Sequence, residues 1–384
     1  PQYILFKNTE ASEHWSIFDS MRGIVTGGND EHIKASSTDG EYSSHDWMSL
    51  TPTGFKINTT GGEVNQDGKT HIFVAIRRSD GYCGKPYGAG EGTSVFAMDT
   101  GSGGSAIPVF DSGFPVDFAL KRTFASSDDW GAGSRLTNDK FMYTNSANAE
   151  TTNFYWGWAW DSNAGVFTSG ASTQQSWMWK RHAGFDVVTY TGNGTAGHQI
   201  PHSLSKTPEM IFVKKREYVG NWRVGHKGLN GGSNPWTYNI QLENGAETNY
   251  DVFGNAPTST HFSLTTAGDV NGNSDDYIAF LFASVDGISK VGYYSGNGSS
   301  GQTITTGFQP RFLIIKNRSA SNNWFVLDTT RGWGSGEENY LMIDQDWSQA
   351  SHDFGAPTST GFTLVDGNSA YNQSGAHYIY YAHA

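Results

Sequence analysis

The sequence predicts an all-β protein: tandem small antiparallel β-sandwich-like domains built from four divergent internal repeats. Three observations predict it. One opening motif recurs four times along 384 residues. The composition joins 48 glycines and 14% aromatic residues to only 16% charged residues, which suits many short strands, tight turns and thin cores filled by rings. Apolar runs are short, rich in β-branched residues and bounded by turn signals, and few stretches show helical period.

The openings read PQYILFK from Pro1, PVDFALK from Pro115, PEMIFVK from Pro208 and PRFLIIK from Pro310. Each places a lysine six residues after the proline: Lys7, Lys121, Lys214 and Lys316. A tryptophan follows the lysine by 8, 9, 8 and 8 residues: Trp15, Trp130, Trp222 and Trp324. Three repeats continue to a basic residue and a glycine, at Arg22-Gly23, Lys227-Gly228 and Arg331-Gly332. Near the ends, Phe55, Phe262 and Phe362 each stand 16 or 17 residues before an isoleucine in the runs HIFVAI, YIAFLF and HYIYYA. The proline spacings of 114, 93 and 102 residues exceed typical solenoid units and fit small domains. The resulting division is residues 1–79 for repeat 1, a glycine-rich connector at 80–114, a divergent repeat 2 at 115–184, a connector at 185–207, repeat 3 at 208–285, a connector at 286–309 and repeat 4 at 310–384. Pro1 opens inside the repeated pattern, which points to a processed start or a longer protein.

Within a unit, FLIIK reads as a buried strand, with proline at its start, where a missing N–H does no harm. The polar stretch at 317–323 reads as a turn, and WFVLD as the return strand of a hairpin. GFTLVDG and HYIYYAHA read as a second strand pair around a Ser/Asn/Gly turn, with Asp67-Gly68 as the corresponding turn in repeat 1. Short helical turns are expected near 244–250 and 337–353. The repeated tryptophans read as core residues, and the repeated lysines as strand-end residues with snorkelling stems.

Charge and cysteine bound the chemistry. The net charge is −12, and no basic run is longer than the three residues Lys214-Lys215-Arg216, which argues against nucleic acid as a partner. Cys83 is the single cysteine, so neither an internal disulfide nor a cysteine-based zinc site can form. No apolar run reaches spanning length, so no membrane insertion is expected. His198 and His202 are four apart, but Pro201 argues against the helix that would align them. The segment 268–276 carries Asp269, Asn271, Asn273 and Asp275 at alternating positions, yet lacks the glycine and glutamate of a calcium loop and reads as a turn. The expectation is no metal, no cofactor and no catalytic residues.

Differences between repeats are the better guide to a binding surface. Repeat 2 carries Tyr155, Trp156, Trp158 and Trp160 in an alternating run the others lack, a pattern that sets the three tryptophans on one strand face. Exposed, such a face stacks on sugar rings; buried, it joins domains or protomers. Tyr82 and Tyr87, in the glycine-rich stretch 81–92, are the further receptor-binding candidates.

The tracts VVTYTGNGT, PEMIFVKKR, WRVGHKGL, APTSTHFSL and DDYIAFLFASVDGISKVGYYSGNGSSGQTI resemble a repeat-containing β domain of phage tail-fibre-like proteins, of marine and cyanobacterial phage type. TPTGFKINTTGGEVNQDGKTHIFVAIRR resembles the same family's N-terminal half, so the likeness spans nearly the whole chain. It implies a non-enzymatic virion protein of a tail fibre or tail tip, acting in host-cell attachment. It implies as partners the chain itself in a homotrimer, other phage tail or virion proteins, and a host cell-surface glycan or protein. The alternatives are a spacer or capsid-surface decoration without receptor binding, and a glycan depolymerase, which needs two carboxylates converging in a groove. The expected arrangement of the repeats is an elongated array.

Overall fold

The computed structural model describes residues 1–24, 28–51, 54–76, 92–103, 108–152, 157–167, 169–204, 206–243, 245–334 and 336–384. The fold is all-β, made of antiparallel sheets with only single-turn helical segments among the described residues.

Repeat 4 shows the unit most completely. Its opening strand Phe312–Asn317 pairs with Trp324–Asp328, and the order continues through Glu338–Met342 to Ala350–His352. On the other side the opening strand pairs with the closing strand His377–His383. Period-two alternation sends Leu313 and Ile315 to an outer face, where a small sheet carrying Ile304, Phe362 and Leu364 covers them. Phe312 and Ile314 point the other way. Both faces of the main sheet are therefore apolar, and each needs its own cover.

Repeats 2 and 3 follow the same plan. Their opening strands, Phe118–Thr123 and Met210–Lys215, each lie between a return strand and a closing strand. The stretches expected to be connectors complete the sheets. Phe96–Thr100, Phe185–Thr191 and Ser289–Ser295 pair with the closing strands of repeats 2, 3 and 4 respectively. In repeat 1 the order is His71–Ile76, Tyr3–Asn8, Ser16–Asp19, Asp30–Lys34 and Tyr42–His45.

The inner faces of repeats 2, 3 and 4 close on one another in a ring. Trp130 Nε1 donates to the Met342 carbonyl at 2.8 Å, Trp324 Nε1 to the Gln241 carbonyl at 3.4 Å, and Trp222 Nε1 to the Tyr143 carbonyl at 2.8 Å. The contacts thus run from repeat 2 to 4, 4 to 3, and 3 to 2. A second set repeats that cycle in the backbone: Gln349 N–H to Phe124 C=O at 2.8 Å, Glu247 to Arg318 at 2.9 Å and Glu150 to Arg216 at 2.7 Å. Three sheets thus form a triangular prism around a pseudo-threefold axis. Its core holds Trp179, Phe282, Phe118 and Tyr381. Repeats 2 to 4 do not extend as an elongated array, because the apolar inner faces cover one another.

The register corrects the alignment of repeat 2. Phe118 pairs with Trp179 as Met210 pairs with Phe282 and Phe312 with His383. Arg122 therefore takes the place of Lys214 and Lys316, not Lys121, and the spacing to tryptophan becomes 8 in every repeat. Lys121 points outward, over the faces of Phe110 and Phe167 at 5.8 and 4.6 Å. The lysines at the repeated position are not snorkelling in repeats 3 and 4. Lys214 and Lys316 are fully buried and donate to loop carbonyls, Lys214 to Ala147 at 2.8 Å and Lys316 to Ala320 at 3.1 Å.

Two local expectations also change. GFTLVDG and HYIYYAHA do not pair with each other: Gly361–Leu364 joins the small sheet and His377–His383 the main one. The chain between them crosses from one layer of the sandwich to the other. The stretch 337–353 holds the strands Glu338–Met342 and Ala350–His352, whose pairing with the sheet outweighs local helical preference.

Candidate interaction face and groove

Repeat 1 shares the strand order of its siblings, but among the described residues no strand pairs with the far edge of its closing strand His71–Ile76, and it is packed unlike them. By register, Tyr3, Leu5, Ile17, Ile33, Val74 and Ile76 stand where repeat 4 has Phe312, Ile314, Val326, Leu341, Tyr381 and His383. The repeat-4 residues are all buried, as are their counterparts in repeats 2 and 3. In repeat 1 none of the six is buried, and Val74 and Ile76 are 51% and 52% exposed. Trp15 is 36% exposed where Trp130, Trp222 and Trp324 are buried. Its opposite face is covered over the first two strands, with Ile4, Phe6 and Phe18 buried in a cluster with Met48 and Leu50, while Phe73 on the closing strand is 55% exposed. One of four homologous sheets thus leaves open the face that the other three bury.

Local chemistry on this face is conserved between repeats. Asp19 accepts from the backbone N–H of Arg22 at 2.9 Å and from its Nε at 2.9 Å. Asp328 and Arg331 make the same pair in repeat 4, where Asp328 also accepts from Trp177 Nε1 of repeat 2 at 3.1 Å and Arg331 lies 5.3 Å from the Trp177 ring. In repeat 1 the pair faces a groove instead.

That groove, about 750 Å³, runs between repeats 1 and 2. Asp19, Glu31, Glu41, Asp139 and Asp161 line it, with Arg22 bonded to Asp19 and to Glu41 at 3.1 Å. Burial first, then the charges of Glu41, Asp139 and Asp161, raises the Glu31 carboxyl above its ordinary value. The arrangement is an acidic trough with carboxylates from two repeats, able to take polyhydroxylated or cationic groups.

The predicted aromatic platform is placed differently. Trp158 and Trp160 are buried at 8% and 3% exposure in a cluster with Phe141 and Phe167, and only edges reach the groove wall. The reason lies in Gly133, where an added Cβ would meet the Trp158 ring at 2.5 Å. Repeat 3 uses the same device, Gly225 beneath Trp236, at a position filled by Leu327 in repeat 4 and Phe18 in repeat 1. Trp158 is therefore filler for a sandwich, not an exposed stacking surface. Tyr155, Trp156, Tyr82 and Tyr87 lie outside the described residues.

Asp269 and Asp275, from the calcium-like stretch, are ion-paired with Arg223 at 2.5 Å and Lys215 at 2.7 Å. His198 lies in a strand with Nδ1 2.9 Å from Asn271 Oδ1, and His202 is 3.1 Å from the Thr258 carbonyl. No group of three or more metal-ligating side chains occurs among the described residues. Sequence reading missed the open face. The signal was HIFVAI, whose near-continuous apolar run requires cover on both sides of its sheet.

Residues 1–79 and 91–384 match a family described as a domain of unknown function, DUF7483. No curated protein matches the chain.

Proposed function

The chain belongs to the DUF7483 family, whose description assigns no activity, and we propose from the chain's own residues that it is a virion structural protein, a tail-fibre or tail-tip component for host attachment that works as a homotrimer. The observation that carries this reading is the open apolar face of repeat 1, since a contiguous exposed apolar face marks an assembly or binding surface. The resemblance of its repeat tracts to phage tail-fibre-like proteins supports the same reading. The proposed partners are other virion proteins and a host cell-surface glycan or protein, and the proposed location is the virion.

The test is binding of labelled protein to a panel of marine bacterial and cyanobacterial cells. Saturable binding that is lost in folded Tyr155→Ala/Trp156→Ala or Tyr82→Ala/Tyr87→Ala variants supports attachment through those candidates. No binding to any cell turns the reading to a spacer or capsid-surface decoration.

A second reading, glycan cleavage, is favoured by one observation: carboxylates from two repeats share the groove, and the Glu31 carboxyl is raised there by burial. A carboxyl raised by burial in a groove that other carboxyl side chains line is the pattern of a general acid. Host polysaccharide incubated with the protein should then lose mass, and Glu31→Gln should abolish the loss. Polysaccharide left intact by the parent protein removes this reading.

A further inference from the structure

We propose that three chains assemble through the open faces of their first repeats, rebuilding between molecules the three-sheet core that repeats 2, 3 and 4 build within one molecule. This deepens the homotrimer reading above by naming its surface, and it rests on the internal core as a template rather than on the attachment role.

The template sets the number three. Each inner sheet donates through its tryptophan to one neighbour and accepts at its third-strand carbonyl from the other. Donor and acceptor lie on different parts of the sheet, so the contact is heterologous and closes after three sheets, not two. Repeat 1 keeps both halves of it. Trp15 Nε1 makes no hydrogen bond among the described residues. The acceptor is identified by two backbone bonds. Ala35 N–H donates to the Trp15 carbonyl at 2.8 Å and Ser37 N–H to the Lys34 carbonyl at 3.1 Å. Ile343 to Trp324 at 3.0 Å and Gln345 to Met342 at 3.1 Å are the same pair in repeat 4. The Lys34 carbonyl is therefore the counterpart of Met342, which accepts from Trp130 with its remaining lone pair.

In the assembled trimer, Trp15 Nε1 of one chain donates to the Lys34 carbonyl of the next. Val74 and Ile76 gather near the axis, as Tyr381 and Phe282 do at a 4.9 Å ring distance inside the molecule. Arg22, held by Asp19, lies over Val74 of the adjoining chain, as Arg331 lies over Trp177. A lone apolar face has many conceivable covers, but this one has three sibling faces showing what covers it, and the cover is always two more of the same sheet.

The experiment is the solution mass of the 384-residue chain by light scattering and sedimentation equilibrium from nanomolar to tens of micromolar. The expected species has three times the 41.9 kDa mass of one chain. Val74→Lys should weaken assembly by at least ~100-fold, because three ammonium groups would be desolvated beside one another. Circular dichroism should show that this variant keeps its fold. Trp15→Phe, which keeps the ring and loses only the Nε1 donor, is the second variant and should weaken assembly less. Hydrogen exchange in the strand His71–Ile76 should slow as the trimer forms. A monomer or dimer at tens of micromolar overturns the proposal, as does a trimer indifferent to Val74→Lys. A monomer whose His71–Ile76 strand is already protected overturns it in favour of cover by another part of the chain. Host-cell binding is read separately, so a trimer that binds no cell removes the attachment role and leaves this inference standing.

Discussion

The indole Nε1 of Trp222 in repeat 3 donates to the backbone carbonyl of Tyr143 in repeat 2 at 2.8 Å, although the two lie 79 residues apart. The bond sits in one corner of the three-sheet prism. Trp222→Ala removes the bond and a buried ring, and should destabilise the protein by about 3–5 kcal/mol. Trp222→Phe keeps most of the packing and should cost about 1 kcal/mol from the bond, plus the volume lost. Urea unfolding of the two variants separates the contributions. A Trp222→Phe variant as stable as the parent would mean that the hydrogen bond is immaterial, and equal losses in the two variants would mean that the bond outweighs the ring.

Arg122 makes its contact across the corner between repeats 2 and 4. It is fully buried, and Nη2 donates at 2.7 Å to the carbonyls of both Asp346 and Trp347. Arg122→Ala should speed amide exchange around 345–349 by tenfold or more, since about 1.4 kcal/mol of local stability is a factor of ten. Lys121→Ala should leave that segment unchanged, because Lys121 faces the outer cluster. Mass-spectrometric hydrogen exchange reads both. The reverse result would return Lys121 to the inner position.

Glu150 and Arg216 form a bidentate pair at 2.7 and 3.1 Å with both side chains nearly buried. Glu150→Ala leaves a buried guanidinium without its counter-ion and should cost about 3–5 kcal/mol. Glu41→Ala breaks the exposed pair with Arg22 and should cost under about 1 kcal/mol. Denaturant midpoints should rank the two variants in that order.

Gly133 carries the Trp158 ring on its bare Cα. Gly133→Ala forces a Cβ to within 2.5 Å of that ring and should destabilise repeat 2 by about 1–3 kcal/mol through overpacking. A Gly133→Ala/Trp158→Leu double variant should recover part of the loss. Calorimetry of the single and double variants tests the coupling.

Acid should weaken the fold through its buried histidines. Burial pushes His182 and His226 down to about 3 and His383 well below its ordinary value. The unfolded chain takes up these protons near pH 6.5 and the folded chain does not. The stability is therefore complete above pH 6.5 and is lost as pH falls toward 3, by about 1.4 kcal/mol per pH unit per histidine. Asp344 and Glu338, raised by burial to about 7, act oppositely: the folded state holds their protons between pH 4 and 7 and gains stability on acidification. Among the groups shifted most, three histidines outweigh two carboxyls. The melting temperature should thus fall below pH 6.5, and more steeply below about pH 4.5, where the unfolded carboxyls are also protonated. His226→Gln should flatten the profile and Asp344→Asn should steepen it. A melting temperature that rises from pH 6.5 to 4.5 would contradict this balance.

The unit itself was legible from sequence. Pro310, Lys316 and Trp324 mark a strand, its end and the start of the return strand, and the hairpin is found where FLIIK and WFVLD predict it. Less legible was the register of PVDFALKR, since Lys121 and Arg122 are both basic and only pairing with Gln175 shows which one lies on the inner face. The aromatic run of repeat 2 misled for a related reason. Trp158 looks like a surface feature until Gly133 is found beneath it, and the two are 25 residues apart.

By itself, then, the sequence determined the all-β class and the four repeated units, because short apolar runs and turn chemistry are local properties. Tertiary structure alone decided what covers the faces of each main sheet. Leu5 and Val74 in repeat 1 carry the same alternation as Ile314 and Tyr381 in repeat 4, yet the first pair is open and the second buried. Alternation says that a face must leave water, while the partner that removes it depends on how three sheets meet around an axis, which local pattern does not encode.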